Sequence, residues 1–149
     1  MDVIPLGHDL VADAARLEQS CFTDGVSEDS LRSFAEADAN HYYAAVEENC
    51  LCGYGGFSLA ADVAEILTVA VAPEHRRRGI ARTQMLRMMR DAAGMGAAVL
   101  YLDVRESNEA ARALYRSLGF TETGVRRNYY TKPRENAVLM QLPLNGENF

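Results

Sequence analysis

The amino-acid sequence predicts an α+β fold, a mixed α/β arrangement in which one central sheet is flanked by helices. Two patterns predict it. Some segments repeat apolar residues at helical spacing, whereas others alternate as strands or have the near-continuous apolar character of a strand covered on both faces. Assigned in order, these segments give β-α-α-β-β-β-α-β-α-β-β, which is about seven strands and about four helices.

The N-terminal part predicts a short strand and two helices. Residues Met1–Leu6 have a strand pattern, and Asp9–Cys21 form a helix with an apolar face at helical spacing. The loop FTDGV follows. Ser27 is suited to begin a second helix, which ends near Ala37, because its hydroxyl accepts hydrogen bonds from the first free backbone N–H groups.

A hairpin and a long strand come next. Residues Tyr42–Glu47 and a second strand that ends at Leu59 flank a turn at Glu48–Asn49. The second strand contains glycines that weaken it or mark a bulge: Gly53, Gly55 and Gly56. Residues Val63–Val71 form the third strand, whose apolar and β-branched composition indicates that both of its faces are covered.

The middle of the chain predicts two helices separated by a strand. The first helix covers Ile80–Ala93 and is ended by Gly94 and Gly96. The segment AAVLYLDV is a buried strand. The second helix covers Asn108–Leu118, and Gly119 just past its end suits the left-handed conformation.

The C-terminal part predicts a last hairpin within a single domain. Strands over Phe120–Tyr129 and Ala137–Leu142 flank the segment TKPREN. Residues 144–149 have the composition of a flexible, solvated tail. No linker or repeat divides the chain, so residues 1–149 are predicted to form one domain.

Composition predicts a soluble, cytoplasmic protein without a membrane segment. No apolar run approaches the ~18 residues of a membrane helix, and the pattern of a secretory signal is absent. The cysteines and histidines lack metal-ligand or disulfide-framework spacing, so reduced thiols and no metal site are expected. The formal charge of −6 argues against direct nucleic-acid binding and fits a cationic partner, although it also serves solubility alone. We expect a monomer or a weak dimer.

The segment VAVAPEHRRRGIARTQML predicts an anion-binding turn. Pro73 breaks a buried strand, and Arg76–Arg78 and Gly79 then lead into a helix, whose unpaired N–H groups and partial positive charge attract anions. The small residues Gly79 and Ala81 let a pyrophosphate approach the backbone. The lysine of a nucleoside-triphosphate P-loop is missing. An isolated run of arginines would be a solvated turn, but the strand before it and the helix after it favour the anion site.

Three residues of this turn match a known signature. Arg76, Gly79 and Ala81 fit the pattern of glutamine or arginine, two residues, glycine, one residue, then glycine or alanine. On these residues the chain resembles the GNAT superfamily of N-acetyltransferases. The resemblance implies the GNAT fold, with a central mixed, mostly antiparallel sheet, and acetyl-coenzyme A (acetyl-CoA) as the cosubstrate.

The resemblance also implies cofactor-binding residues. The strand before the turn pairs with the pantetheine arm of the coenzyme through Val69, Ala70 and Val71. The turn holds the pyrophosphate with Arg76, Arg77, Arg78, Gly79, Ile80 and Ala81. Arg82, one turn further into the helix, either meets a coenzyme phosphate or is simply exposed.

The second half resembles a narrower group, the ribosomal-protein-alanine N-acetyltransferases of the RimI type. The resemblance covers about Glu65 to Leu142. It rests on several short motifs: the strand end Asp103-Val-Arg, Ser107–Asn108, Leu114–Tyr115, Leu118-Gly-Phe120 and the tract RRNYY. It implies that Asn108 contacts the coenzyme, that Tyr115 is the general acid and that Asp103 is the general base.

The chemistry of acetyl transfer explains these roles. The amine must be neutral to attack the thioester, and the departing thiolate needs a proton. A phenol of pKa ~10 is still protonated at neutral pH, so Tyr115 is equipped to supply that proton. The alternative is that Tyr115, on the helix face of Ala111 and Leu118, is a core aromatic.

The general base has two candidates. Asp103 stands where the RimI-type group usually has glutamate, and its shorter side chain makes a bridging water a second possibility. Glu65 occupies the position that matches the catalytic glutamate of histone-acetyltransferase-type GNAT enzymes. Its alternative role is that of an ordinary solvated residue at the start of a strand.

The ordinary pKa values of amines favour an N-terminal amine as the acceptor. At pH 7.4 an α-amino group of pKa ~7.8 is roughly a quarter neutral, whereas a lysine of pKa ~10.4 is about a thousandth neutral. The difference corresponds to ~3.5 kcal/mol, which makes a weak base more tolerable. In the tract RRNYY, Asn128 and Tyr130 are the predicted contacts with a peptide, and an exposed hairpin with aromatic edge packing is the alternative.

The predicted function is acetylation of a protein N-terminus, with the N-terminal alanine of a ribosomal protein as the specific substrate. The loop Thr23–Val26 departs from the Pro-Trp pair that RimI-type enzymes commonly have there. This departure motivates an alternative, acetylation of a small amine such as a polyamine, amino acid or aminoglycoside, or of lysine. A noncatalytic acyl-CoA sensor is the third hypothesis, motivated by aspartate at position 103.

Overall fold

The computed structural model describes residues 1–144 of the chain and confirms the predicted order of elements. The helices are α1 (Val11–Cys21), α2 (Glu28–Glu36), α3 (Ile80–Gly94) and α4 (Glu109–Ser117). The strands are β1 (Asp2–Pro5), β2 (Asn40–Glu47), β3 (Cys50–Ala60), β4 (Val63–Val71), β5 (Val99–Arg105), β6 (Thr121–Thr131) and β7 (Arg134–Pro143). Short 3-10 turns at His8–Leu10 and Pro73–His75 precede α1 and follow β4.

The seven strands form one mixed sheet in the order β1-β2-β3-β4-β5-β7-β6. Every neighbouring pair is antiparallel except β4 and β5, which run parallel. The predicted α+β class with a mostly antiparallel sheet is therefore confirmed. Among residues 1–144, no helix is long and apolar enough to cross a membrane.

Helices cover the two faces of the sheet unequally. The α1 and α2 helices pack on one face against Tyr54 and Ala70, whereas α3 and α4 pack on the other face against the larger part of the core. In β5, Leu102 and Val104 belong to the core beneath α3 and α4. Because side chains alternate along a strand, Asp103 points to the face of α1 and α2.

The parallel strands β4 and β5 pair only at their beginnings. Glu65 and Tyr101 are the last paired residues, and the strands diverge beyond them. The register between β3 and β4 shifts at Gly56 and Phe57, so that Leu67 is an extra residue without a partner in β3. A bulge of this kind bends its strand. It therefore turns β4 away from β5 and opens a gap in the middle of the sheet.

The glycines of β3 allow neighbouring atoms of both side chains and backbone to approach closely. A Cβ on Gly56 would lie 2.4 Å from the Tyr42 ring, which packs across this position. A Cβ on Gly53 would lie 2.8 Å from the Ala70 carbonyl oxygen. The bulge predicted in this stretch is at Cys52 beside Gly53: Ala45 pairs with Gly53 and Val46 with Leu51, so Cys52 is the extra residue of β3.

The structure corrects two predicted helix and strand boundaries. Gly94 is still part of α3, and Gly96 with φ of 99° is the residue in the left-handed region. The last hairpin is tighter than predicted, because β6 and β7 continue through most of TKPREN and leave only Lys132 and Pro133 as the turn. The whole tract RRNYY therefore lies within β6, and an irregularity between Arg126 and Tyr130 interrupts its pairing with β7.

Leu144 does not belong to a solvated tail. Its side chain is buried in the main core, and its N–H donates to the Ala98 carbonyl oxygen at 2.8 Å. The remaining residues of the predicted tail, 145–149, lie outside the described part of the chain.

Gln84 of α3 provides a test of the packing beneath the sheet. It is fully buried, its Nε2 donates to the Ala70 carbonyl oxygen at 3.4 Å, and its Oε1 has no hydrogen-bond partner within residues 1–144. Gln84→Met keeps the length of the side chain and removes the unpaired oxygen. We expect it to raise the free energy of unfolding by about 1 kcal/mol, measured by urea denaturation.

The reciprocal change on the same helix is the matched control. Met88 is fully buried, so Met88→Gln places a second amide in the core and is expected to lower the free energy of unfolding by about 2 kcal/mol. A loss of stability in Gln84→Met would contradict the prediction.

Candidate active site

A cavity of about 510 Å³ occupies the gap between β4 and β5. Its walls come from five parts of the chain: the end of α1 with the loop that follows it, the middle of β4, the end of β5, the start of α4, and the β6–β7 turn with Tyr130. The cavity therefore reaches both faces of the sheet.

One wall of the cavity offers free backbone groups. The Ala72 N–H donates to the Cys52 carbonyl oxygen, which fixes the alternation along β4. Ala70 therefore points its backbone groups toward β3, whereas Val69 and Val71 point theirs into the gap. The Val71 carbonyl oxygen accepts from the Arg76 guanidinium at 3.2 Å. Val69 lines the cavity and leaves its edge of β4 open to an extended ligand.

The predicted anion turn connects this edge to the start of α3. Arg77 and Gly79 both have positive φ, 66° and 76°, so the chain reverses sharply before the helix. Within the described residues 1–144, no side chain caps the first turn of α3, and no acidic residue lies in that turn. The N–H groups that open α3 at Ile80 and Ala81 are thus free to bind an anion. Arg78 pairs with Glu47 at 3.2 Å, with both side chains exposed.

Two other predicted coenzyme contacts have structural partners. Arg82 donates to the Ser117 hydroxyl at 3.1 Å and so links α3 to α4. Asn108 caps α4, since its Oδ1 accepts from the Ala111 N–H at 3.1 Å. Asn108 also lines the cavity. Its Nδ2 group is therefore the part of the side chain that is left to donate to a ligand.

Tyr115 is both a core aromatic and a cavity residue. It is 9% exposed, packs edge-on against Phe120 at 5.9 Å and lines the cavity from the α4 side. Burial, together with the nearby Tyr130, raises the pKa of Tyr115 to about 12. The phenol is accordingly protonated at every physiological pH.

The structure separates the two candidate bases. Asp103 lines the cavity from the α1 side, opposite Tyr115. Its charge acts on Tyr130, whose pKa is raised to about 12, first by burial and then by Asp103. Glu65 is exposed and pairs with Tyr101 at the closed end of the gap, and it does not line the cavity.

The two predicted peptide contacts also separate. Tyr130 lines the cavity, and the Arg105 guanidinium lies over its ring at 4.2 Å. Asn128 has a φ of 53°, and its N–H donates to the Asn136 side chain at 3.0 Å. Asn128 does not line the cavity, so of the two predicted peptide contacts only Tyr130 lies in the same cavity as Asp103 and Tyr115.

Sequence reasoning singled out the loop Thr23–Val26 in connection with the acceptor, but it missed Glu18 and Phe22 beside that loop. Glu18 of α1 and Phe22, Thr23, Asp24 and Val26 of the loop line the cavity. The Thr23 hydroxyl donates to the Lys132 carbonyl oxygen and joins this loop to the β6–β7 turn. One signal was available: Glu18 follows Ala14 by four residues and so lies on the apolar face of α1, an unusual place for a charge.

The arrangement suits the transfer of a group to an amine. A carboxylate and a protonated phenol reach one gap from opposite faces, and an open strand edge leads from this gap toward the uncapped start of α3. A proton can therefore be accepted on one side of the reacting atoms and donated on the other.

Comparison with known proteins agrees with this geometry. The family model of acetyltransferases (GNAT) matches residues 11–120. The ribosomal protein bS18-alanine N-acetyltransferase of Escherichia coli K12 is 35% identical over 120 residues, which is 78% of this chain and 81% of that protein. The N-alpha-acetyltransferase RimI of Mycobacterium tuberculosis is 42% identical over 106 residues, 68% of this chain and 65% of that protein.

A solved structure extends the similarity to almost the whole chain. The crystal structure of the ribosomal-protein-S18-alanine N-acetyltransferase from Escherichia coli superposes with a TM-score of 0.89 and 32% identity, covering 99% of this chain and 97% of that one. The chain belongs to the acetyltransferase (GNAT) family and is an N-acetyltransferase of the RimI-like group.

Proposed function

We propose that this protein acetylates the α-amino group of an N-terminal alanine, that of a ribosomal protein, with acetyl-CoA as the donor. The observation that carries the proposal is the pair formed by Asp103 and Tyr115, which line one cavity from opposite faces of the sheet. The relatives named as ribosomal-protein-alanine N-acetyltransferases support this substrate, since they are similar over most of the chain.

The residues present fit a long, anionic coenzyme. The edge of β4 at Val69 can pair with an extended amide chain, and the uncapped start of α3 lies at its far end. Arg76, Arg77 and Arg78 give this end a positive charge. Acetyl-CoA supplies the acetyl group as a thioester when it is bound there.

Asp103 is the proposed general base. The attacking nitrogen must lose a proton, and the Asp103 carboxylate accepts it, directly or through one water. Glu65, the other candidate base, is exposed and lies outside the cavity. The demand on Asp103 is small for an α-amine, because about a quarter of such amines are already neutral at pH 7.4.

Tyr115 is the proposed general acid. As the carbon–sulfur bond breaks, its hydroxyl donates a proton to the departing sulfur. The burial that raises the pKa of Tyr115 to about 12 disfavours any anion in this cavity, so it raises the pKa of the leaving thiol in the same direction. The transfer from phenol to sulfur therefore stays possible in spite of the weaker acidity.

The substrate proposal is tested with peptides of one sequence. We expect release of coenzyme A thiol with a peptide that begins with alanine, and none after its N-terminus is blocked. The kcat/KM should rise about tenfold per pH unit up to pH ~7.8 and then level off, because the neutral amine is the nucleophile. With a pKa of about 12, Tyr115 should cause no decline below pH 10.

Lysine peptides and polyamines are the comparison substrates in the same assay. A lysine side chain as the acceptor would make kcat/KM rise up to pH ~10.4. Turnover restricted to the polyamine or to the lysine side chain would refute the α-amine proposal.

The role of Tyr115 predicts a loss of rate without a loss of coenzyme binding. Tyr115→Phe keeps the packing against Phe120 and removes the hydroxyl. We expect kcat to fall by about 10²-fold or more, while the Kd for acetyl-CoA from calorimetry stays within about twofold. Tyr101→Phe is the matched control, since Tyr101 is exposed and does not line the cavity. Full activity of Tyr115→Phe would exclude the acid role.

Substitutions of Asp103 and of Glu65 are expected to have different effects on kcat/KM. Asp103→Asn is expected to lower kcat/KM for the alanine peptide by about 10²-fold, whereas Asp103→Glu keeps a base in the cavity and retains most of the activity. Glu65→Gln should change kcat/KM by less than about twofold, since the side chain is exposed outside the cavity. If Glu65→Gln is the inactive variant, the base assignment moves to Glu65.

A further inference from the structure

Glu18 is a buried charge that the proposed chemistry does not use. It belongs to the last turns of α1, is 8% exposed and lines the cavity. Burial of a carboxylate is costly unless hydrogen-bond donors satisfy it. The contacts of Glu18 therefore indicate what it stabilises.

The two oxygens of Glu18 bind two different parts of the chain. Oε1 accepts from the hydroxyl of Tyr54, a fully buried residue of β3, at 2.7 Å. Oε2 accepts from the Val26 N–H at 2.6 Å. The adjacent Gln19 donates to the Val26 carbonyl oxygen at 3.0 Å, so both backbone groups of Val26 are held. Glu18 thus ties the segment 22–26, here named the acceptor loop, to the sheet.

The acceptor loop is seated closely on α1. A Cβ on Gly25 would lie 2.7 Å from the Cα of Gln19 and 2.9 Å from the Glu18 carbonyl oxygen. Both of these are backbone atoms, which cannot move aside without shifting the helix. Only glycine allows this approach, so the position of the loop is set by backbone contact as well as by Glu18.

The acceptor loop borders the side of the cavity on which Asp103 lies. The α1 helix packs on the sheet face to which Asp103 points, and four loop residues line the cavity there. The helices α3 and α4 pack on the other face. A shift of the acceptor loop would therefore alter the binding of the amine more than that of acetyl-CoA.

We propose that Glu18 is the positioning residue of the amine site: its buried carboxylate holds the acceptor loop in place and so sets the affinity for the acceptor. This inference rests on the proposed acetyl transfer to an amine. Each carboxylate oxygen accepts from a different partner, the Tyr54 hydroxyl and the Val26 N–H. A methionine of similar length has neither oxygen and leaves the Val26 N–H without this acceptor.

Two variants displace the loop by different chemistry. Glu18→Met removes both acceptors at nearly constant volume, and Gly25→Ala pushes the loop off α1 while Glu18 stays intact. We expect each variant to raise the KM for the alanine peptide about tenfold, with the KM for acetyl-CoA unchanged within about twofold. Hydrogen exchange of the Val26 amide should become faster in both variants.

Tyr54→Phe is the matched control. It removes the bond of Glu18 to the sheet and leaves the bond to Val26, so we expect the acceptor KM to change by less than about threefold. The assay is repeated with spermidine as a second acceptor, so that the effect of Glu18 is measured on either kind of amine.

The outcomes separate this inference from the proposed function. An unchanged acceptor KM in Glu18→Met or in Gly25→Ala overturns the role of Glu18 and leaves the function intact. Equal rises of both KM values, together with a lower melting temperature, also overturn it, because they indicate a general structural role. If the wild type acetylates spermidine and not the peptide, the substrate proposal fails, while a spermidine KM raised by both variants upholds Glu18. If it acetylates neither, both fail.

Discussion

The separation of β4 from β5 is the constraint on which the rest of this structure depends. Parallel strands that start as hydrogen-bonded neighbours would normally continue so and leave no space between them. Here the unpaired Leu67 bends β4 just after its last pair with β5 at Glu65. The cavity, the open edge at Val69 and the access from both faces all follow from this one local irregularity.

The two faces of the sheet contribute different residues to the cavity. On one face, α3 and α4 supply the anion turn, Asn108 and Tyr115. On the other face, α1 and its loop form the wall beside Asp103. A donor that enters from one face and an acceptor that enters from the other would meet in the gap. In the proposed reaction, Asp103 would accept a proton on one side of the gap and Tyr115 would donate one on the other.

The last hairpin completes the cavity through Arg105. Its guanidinium donates to the Pro133 carbonyl oxygen at 3.0 Å, pairs with Glu135 at 3.2 Å and lies over the Tyr130 ring. Hydrogen bonds from Ser107 and the nearby Arg105 lower the pKa of Glu135, which stays ionised at neutral pH. Because the Thr23 hydroxyl also reaches this turn, the hairpin and the loop after α1 brace each other across the cavity.

The sequence by itself determined what depends on neighbouring residues: the order of strands and helices, the turn at Gly79 and the cap at Ser27, since a turn or a cap is built by residues a few positions apart. Only the tertiary structure decided which face each side chain reaches, because a one-residue shift in strand register exchanges the faces of a strand. The position along the gap was also decided only there: Glu65 is paired with Tyr101 at the closed end, whereas Asp103 lies beyond the last pair and lines the cavity. The partners of Glu18 in β3 and in the loop after α1 are likewise brought to it only by the fold.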